Sequence, residues 1–84
     1  MDSRTLENLR AEALFVSDVQ RSDQPTADHV RATVLYIVRR YGTRTLAALV
    51  AAEFGEHPDI AAGRMSWALG TVRQTYPVAY PAAA

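Results

Sequence analysis

Proline and glycine divide the sequence into four segments, and in each segment apolar residues recur at intervals of three and four. Pro25, Gly42, Gly55 and Pro77 mark the boundaries, because proline and a left-handed glycine both end helices. No segment alternates polar and apolar residues, the pattern of a half-buried strand. The sequence therefore predicts an all-α fold of four helices in an orthogonal or bundle-like packing. The predicted helices cover residues 3–20, 27–41, 44–54 and 58–76.

The length of the chain predicts a single compact domain with a thin core. Its 84 residues are enough for one domain, and a chain of this size buries only about 60–65% of its unfolded surface. Residues 1–76 form the predicted domain. Residues 77–84 contain two prolines and four alanines, and we expect them to form a short mobile tail.

The third predicted helix is apolar on nearly every side. Arg44 and Glu53 are its only charged residues. A helix that is hydrophobic all round is usually buried in the core of its protein. We therefore expect this helix to be the most buried element, with Leu49 and Val50 both inside.

The fourth predicted helix has a second face, opposite its ordinary core stripe. This face repeats at intervals of three and four residues, which is the spacing of a coiled-coil seam. Its tryptophan indicates a protein interface with a partner or a second copy of the chain, since tryptophan is enriched at interface hot spots. Two other interpretations stay open: a helix buried on both sides, or a face covered by the tail. The seam consists of Ile60, Gly63, Trp67, Gly70 and Gln74.

The charges cancel overall but are unevenly distributed along the chain. Nine arginines balance nine acidic residues, while residues 29–52 carry four arginines and no acid. Such a segment predicts a basic patch for phosphate or an acidic partner, or else a basic helix that faces an acidic one within the domain. The candidate anion or nucleic-acid patch consists of these four arginines and one more from the fourth predicted helix. Its members are Arg31, Arg39, Arg40, Arg44 and Arg64.

Ala51 and Gly55 are four positions apart, which is the spacing of the small residue and the turn glycine in helix-turn-helix DNA-binding proteins. Up to Gly55 the sequence resembles that family, with the third and fourth predicted helices as the two helices of the motif. The resemblance implies a DNA-binding regulator whose recognition helix begins near Asp59. That helix would offer only Arg64 as a long polar side chain to the bases, and its acidic start would repel phosphate.

The sequence contains no pattern that predicts a catalytic, cofactor or metal site. The chain has no cysteine, and its glycines do not form a phosphate-binding loop. His57 lies near Glu53 and Asp59, but Gly55 and Pro58 are expected to interrupt the helix between them, so a ligand pair four residues apart is not formed. We therefore expect no enzyme, no metal and no cofactor.

These features together predict a small bacterial protein of the cytoplasm that acts through a helix surface. Arginine without lysine, in an alanine-rich chain, indicates a GC-rich coding sequence. The first residues lack the apolar region of a signal peptide, and the longest apolar run, residues 46–52, is far shorter than a membrane helix requires. The expected partner is a protein or a second copy, bound through the fourth helix. The alternative is a helix-turn-helix DNA-binding regulator, although nucleic acid is not the favoured partner.

Overall fold

The computed structural model describes residues 2–77, and within them every regular element is helical. The all-α prediction is confirmed, but the prediction of four helices is wrong, because the described residues form three. A short 3-10 turn, Arg21–Asp23, separates the first two. The predicted tail lies outside the described residues, apart from Pro77. The helices are α1 (Ser3–Val16), α2 (Ala27–Glu56) and α3 (Pro58–Thr75).

Helix α2 takes the place of two predicted helices. Gly42 lies within it at φ 75° and ψ 165°, so the chain bends there. Only glycine adopts this conformation readily. No connecting segment separates the two arms, and the expected boundary is a kink within one element. We call residues 27–41 the N-terminal arm of α2 and residues 43–56 its C-terminal arm.

Helix α2 also continues through Gly55, where the sequence predicted a glycine-ended turn. Gly55 has no positive φ, and the helix ends one residue later. His57 alone separates α2 from α3, and its N–H donates to the carbonyl oxygen of Glu53 at 2.8 Å. Pro58 then begins α3, a position where a missing N–H leaves no bond unmade. The break therefore comes from His57 and Pro58.

Helix α1 ends at Val16, four residues before the predicted end at residue 20. The cause is Ser17, whose backbone is extended at ψ 170°. Its hydroxyl donates to the carbonyl oxygen of Leu14 at 2.6 Å and accepts from the N–H of Val19 at 3.2 Å. A side chain that satisfies the backbone in this way replaces the next turn of helix.

Each of the three helices packs against the other two around one core. Leu14, Leu46, Val30 and Val72 are the largest fully buried side chains, and they come from all three helices. Alanines at positions 11, 13, 61 and 68 are buried between them. Small residues at these positions allow the helices to approach closely in a domain this short.

The C-terminal arm of α2 is not the most buried element, contrary to the prediction. Leu46 and Val50 are buried, but the Leu49 side chain is 38% exposed. Helices α1 and α3 cover one side of the arm, and residues 2–77 provide no further helix for the other side. An apolar surface predicted to lie in the core is therefore open to solvent.

Candidate interaction surface

Exposed apolar side chains are concentrated on α2 and the first turn of α3. Among the described residues, six large apolar side chains are at least about one-third exposed, and five of them belong to α2. Single exposed apolar residues are ordinary on protein surfaces, whereas a cluster marks an interaction site. The six are Leu35, Tyr36, Tyr41, Leu49, Phe54 and Ile60.

The first part of this surface is a cleft between the C-terminal arm of α2, the end of α1 and the start of α3. Its volume is about 360 Å³, and Leu49, Ile60 and Glu53 line it. Phe15, which is buried, also lines the cleft and stacks on Phe54 with ring centroids 6.0 Å apart and planes 13° apart. We call this depression the isoleucine cleft. Its lining is mostly apolar, and its charged groups are the Glu53 carboxylate and the Arg64 guanidinium, which is hydrogen-bonded to the end of α1.

The second part lies along the N-terminal arm of α2 and has a volume of about 470 Å³. Tyr36 and Tyr41 line it together with His29 and Asp18. We call it the tyrosine groove. Val16, at the end of α1, lines both depressions, so the groove and the cleft adjoin there.

The four arginines of α2 are exposed, and one of them, Arg40, lies beside Tyr41 of the tyrosine groove. Arg31 is 3.9 Å from the carboxylate of Asp28. Arg39, Arg40 and Arg44 have no carboxylate within 4.0 Å among residues 2–77, as the described ion pairs involve other residues. The Arg40 guanidinium lies 5.7 Å from the Tyr41 ring centroid, and the neighbouring Tyr41 and Tyr36 side chains raise the pKa of Arg40. Within residues 2–77, no ion pair joins an arginine of α2 to a carboxylate of another helix, because Asp28 belongs to α2 itself.

Arg64, the fifth member of the predicted anion patch, has a different position and a structural role. Its Nε donates to the carbonyl oxygen of Phe15 at 2.8 Å. Its Nη2 is 2.8 Å from the oxygen of Ser17, 3.0 Å from that of Val19 and 3.2 Å from that of Leu14. Burial lowers the pKa of this guanidinium. Arg64 thus binds the carboxyl end of α1, which removes it from the set of arginines free to bind phosphate.

One sequence signal pointed to this role. Helix α1 has no basic residue in its last turn, and no glycine follows it. The last carbonyl groups of a helix need donors, and a cation is favoured there by the helix dipole. Ser17 supplies local donors to Ala13 and Leu14. The packing of α3 against α1 identifies Arg64 as the donor to the carbonyl groups that follow.

The predicted seam of α3 lies at the surface, except for its tryptophan. Ile60 is 73% exposed and lines the isoleucine cleft, whereas Trp67 is half-buried against the core. The Trp67 ring also covers the Arg64 guanidinium at 5.2 Å. The depression beside Trp67 is lined mainly by polar residues and glycine: Arg21, Gly63, Ser66, Gly70, Thr71 and Gln74.

The two glycines of the seam face open space. A Cβ atom added to Gly63 or Gly70 would meet no atom of residues 2–77 within 4 Å. None of the described helices therefore packs against either glycine, as burial on both sides of α3 would require. The other open interpretation, a face covered by the tail, concerns residues 78–84, which lie outside the described residues.

The remaining candidates add no second site to this surface. His57 lies 4.0 Å from the Glu56 carboxylate, and residues 2–77 bring together no three metal-ligating side chains. None of the described helices combines the length and apolar character that a membrane span requires.

No family model, curated protein or solved structure matches the chain.

Proposed function

We propose that this chain is a small non-catalytic interaction protein of the bacterial cytoplasm, which binds a partner helix along the outer side of α2 and the start of α3. One observation carries the proposal. The C-terminal arm of α2 is apolar on nearly every side, yet α1 and α3 cover only the side that carries Leu46 and Val50. A partner helix on the other side would bury Leu49 and Ile60.

The isoleucine cleft supports this proposal energetically. Burying an exposed isoleucine or leucine side chain contributes about 1.5–3 kcal/mol, and Ile60 is 73% exposed. The buried Phe15 ring gives the cleft an apolar wall that the core already holds in place. A surface that is formed before binding loses little conformational entropy when it binds.

The charges around the cleft describe the partner it suits. Glu53 lines the cleft, and Glu56 and Asp59 flank the junction between α2 and α3. An amphipathic helix with apolar anchors at intervals of three and four residues would fill the cleft. Basic residues beside those anchors would complement the carboxylates and select the partner.

The experiment is photo-cross-linking in the native host. A photoreactive amino acid replaces Ile60 in one variant and Gln74 in a matched control, since both positions are exposed on α3 and only Ile60 lines the cleft. We expect a discrete protein adduct at position 60 that Leu49→Asp abolishes, and no such adduct at position 74. Circular dichroism checks that each variant is folded.

Two results would contradict the proposal. Equal adducts at both positions would show that the cleft has no special affinity for proteins. An adduct with nucleic acid in place of protein would favour the helix-turn-helix alternative, in which the start of α3 faces DNA.

A further inference from the structure

We infer that the helix bound by this surface is α2 of a second copy of the same chain, which packs antiparallel across a two-fold axis. The inference rests on the proposed function and names the partner. The contact surface consists of the isoleucine cleft and the tyrosine groove, which adjoin at Val16. Each end of this surface faces the opposite end in the second copy.

The charges along α2 are self-complementary in this arrangement. Arg39 and Arg40, near one end of the surface, have no carboxylate partner among residues 2–77. Glu53 and Glu56 are at the other end, and residues between 29 and 52 include no acid at all. A two-fold rotation places each arginine end on a carboxylate end, and the pairing is made twice. The zero net charge of the chain imposes no overall repulsion between copies.

The shape of the surface agrees with the charges. Ile60 and Tyr36 are the most exposed large apolar residues of the described chain, at 73% and 61%. They lie at different ends of the surface, Ile60 in the cleft and Tyr36 in the groove. The two-fold arrangement brings each one opposite the other, so that a projecting side chain of one copy meets a depression of the other.

A charge-swap experiment tests the arrangement directly. Arg39→Glu/Arg40→Glu makes both ends of the surface acidic, and Glu53→Arg/Glu56→Arg makes both ends basic. Sedimentation equilibrium should give twice the 9.2 kDa mass for the parent chain. Each variant alone should dimerise about 100-fold more weakly, because like charges then face each other. An equimolar mixture of the two should restore the dimer.

The control is Arg4→Glu/Arg21→Glu, which changes the net charge equally but alters exposed arginines outside α2. We expect it to dimerise like the parent chain. Circular dichroism of each variant establishes that it is folded. A mixture that fails to restore the dimer would overturn the antiparallel arrangement, as would a control as weak as the α2 variants.

Single cysteines provide a second, independent measurement, because this sequence contains none. Thr45 is exposed and lies one helical turn before Leu49, between the two ends of the surface. Thr45→Cys should form a disulfide between two copies under mild oxidation. Ser66→Cys, beside Trp67, should not. The reverse result would overturn this inference and place the contact on the predicted seam of α3.

Failure of this inference and failure of the proposed function give different results. A parent chain that stays monomeric at high concentration overturns the second copy as partner. If the photo-cross-link at position 60 then captures a different protein, the proposed function stands. If neither a dimer nor an adduct forms, both are overturned.

Discussion

Arg64 shows how one side chain can determine where a helix ends. Its guanidinium donates to four carbonyl oxygens at and beyond the carboxyl end of α1, where a helix lacks its own donors. One of them, the oxygen of Leu14, also accepts from Ser17. The planar fork of arginine suits several acceptors at once, whereas lysine carries a single point of charge. Phe15 and Trp67 lie within 6 Å of this guanidinium and confine it.

We expect Arg64→Met to destabilise the protein by about 2–3 kcal/mol, because it keeps the apolar stem but removes charged donors from partly buried carbonyl groups. The matched control is Arg73→Met, which breaks an exposed ion pair with Glu7 and should cost less than about 1 kcal/mol. Urea unfolding of both variants measures the difference. Equal losses would show that the α1 end does not depend on Arg64.

At the scale of one element, the C-terminal arm of α2 separates core from surface within a single turn. Leu46 is fully buried and Leu49 is 38% exposed, although the sequence around them is equally apolar. We expect Leu46→Ala to cost about 2–4 kcal/mol through lost burial and a cavity. Leu49→Ala should cost about 1 kcal/mol or less. Chemical denaturation of the monomer measures the free energy of unfolding of both variants. A larger loss of stability for Leu49→Ala than for Leu46→Ala would place Leu49 in the core.

The glycines of the helices provide a second test at this scale. Gly42 has φ 75° and ψ 165°, so Gly42→Ala should cost about 1–3 kcal/mol in backbone strain even though no atom would crowd the new methyl group. Gly70 is helical with open space around it, and Gly70→Ala should stabilise the protein by about 0.5–1 kcal/mol. Thermal unfolding should show a lower unfolding temperature for Gly42→Ala and a higher one for Gly70→Ala. A stable Gly42→Ala variant would mean that the kink is not required.

At the scale of the whole molecule, the separation of charge matters more than the net charge of zero. A nucleic-acid domain is usually basic overall, and its affinity falls steeply with salt. The Arg64 guanidinium is hydrogen-bonded to the end of α1, so it does not extend towards DNA. Asp59, in the first turn of α3, would repel phosphate. We expect no specific binding to duplex DNA in a gel-shift assay at physiological salt. A salt-sensitive shift that Arg39→Glu/Arg40→Glu abolishes would contradict this expectation.

The sequence alone determined what depends on neighbouring residues along the chain. Helical spacing of the apolar residues gave the all-α class, and local capping gave the start of α2, where Thr26 accepts a hydrogen bond from the N–H of His29. Exposed Ile60 was also identified as a candidate contact, since it lies off the core stripe of its helix. These features follow from backbone hydrogen bonding and side-chain direction over one or two turns.

Tertiary structure decided which apolar surface became core and which arginine became structural. In the described part of the chain, α1 and α3 cover one side of the C-terminal arm of α2, so Leu46 is buried while Leu49 remains at the surface. Arg64 meets α1 across about 50 residues of chain, a contact that no local pattern encodes. The count of three helices likewise depended on Gly42, where the chain bends without a connecting segment. Burial and long-range hydrogen bonding are properties of the packed chain, because each requires a partner that is distant in sequence.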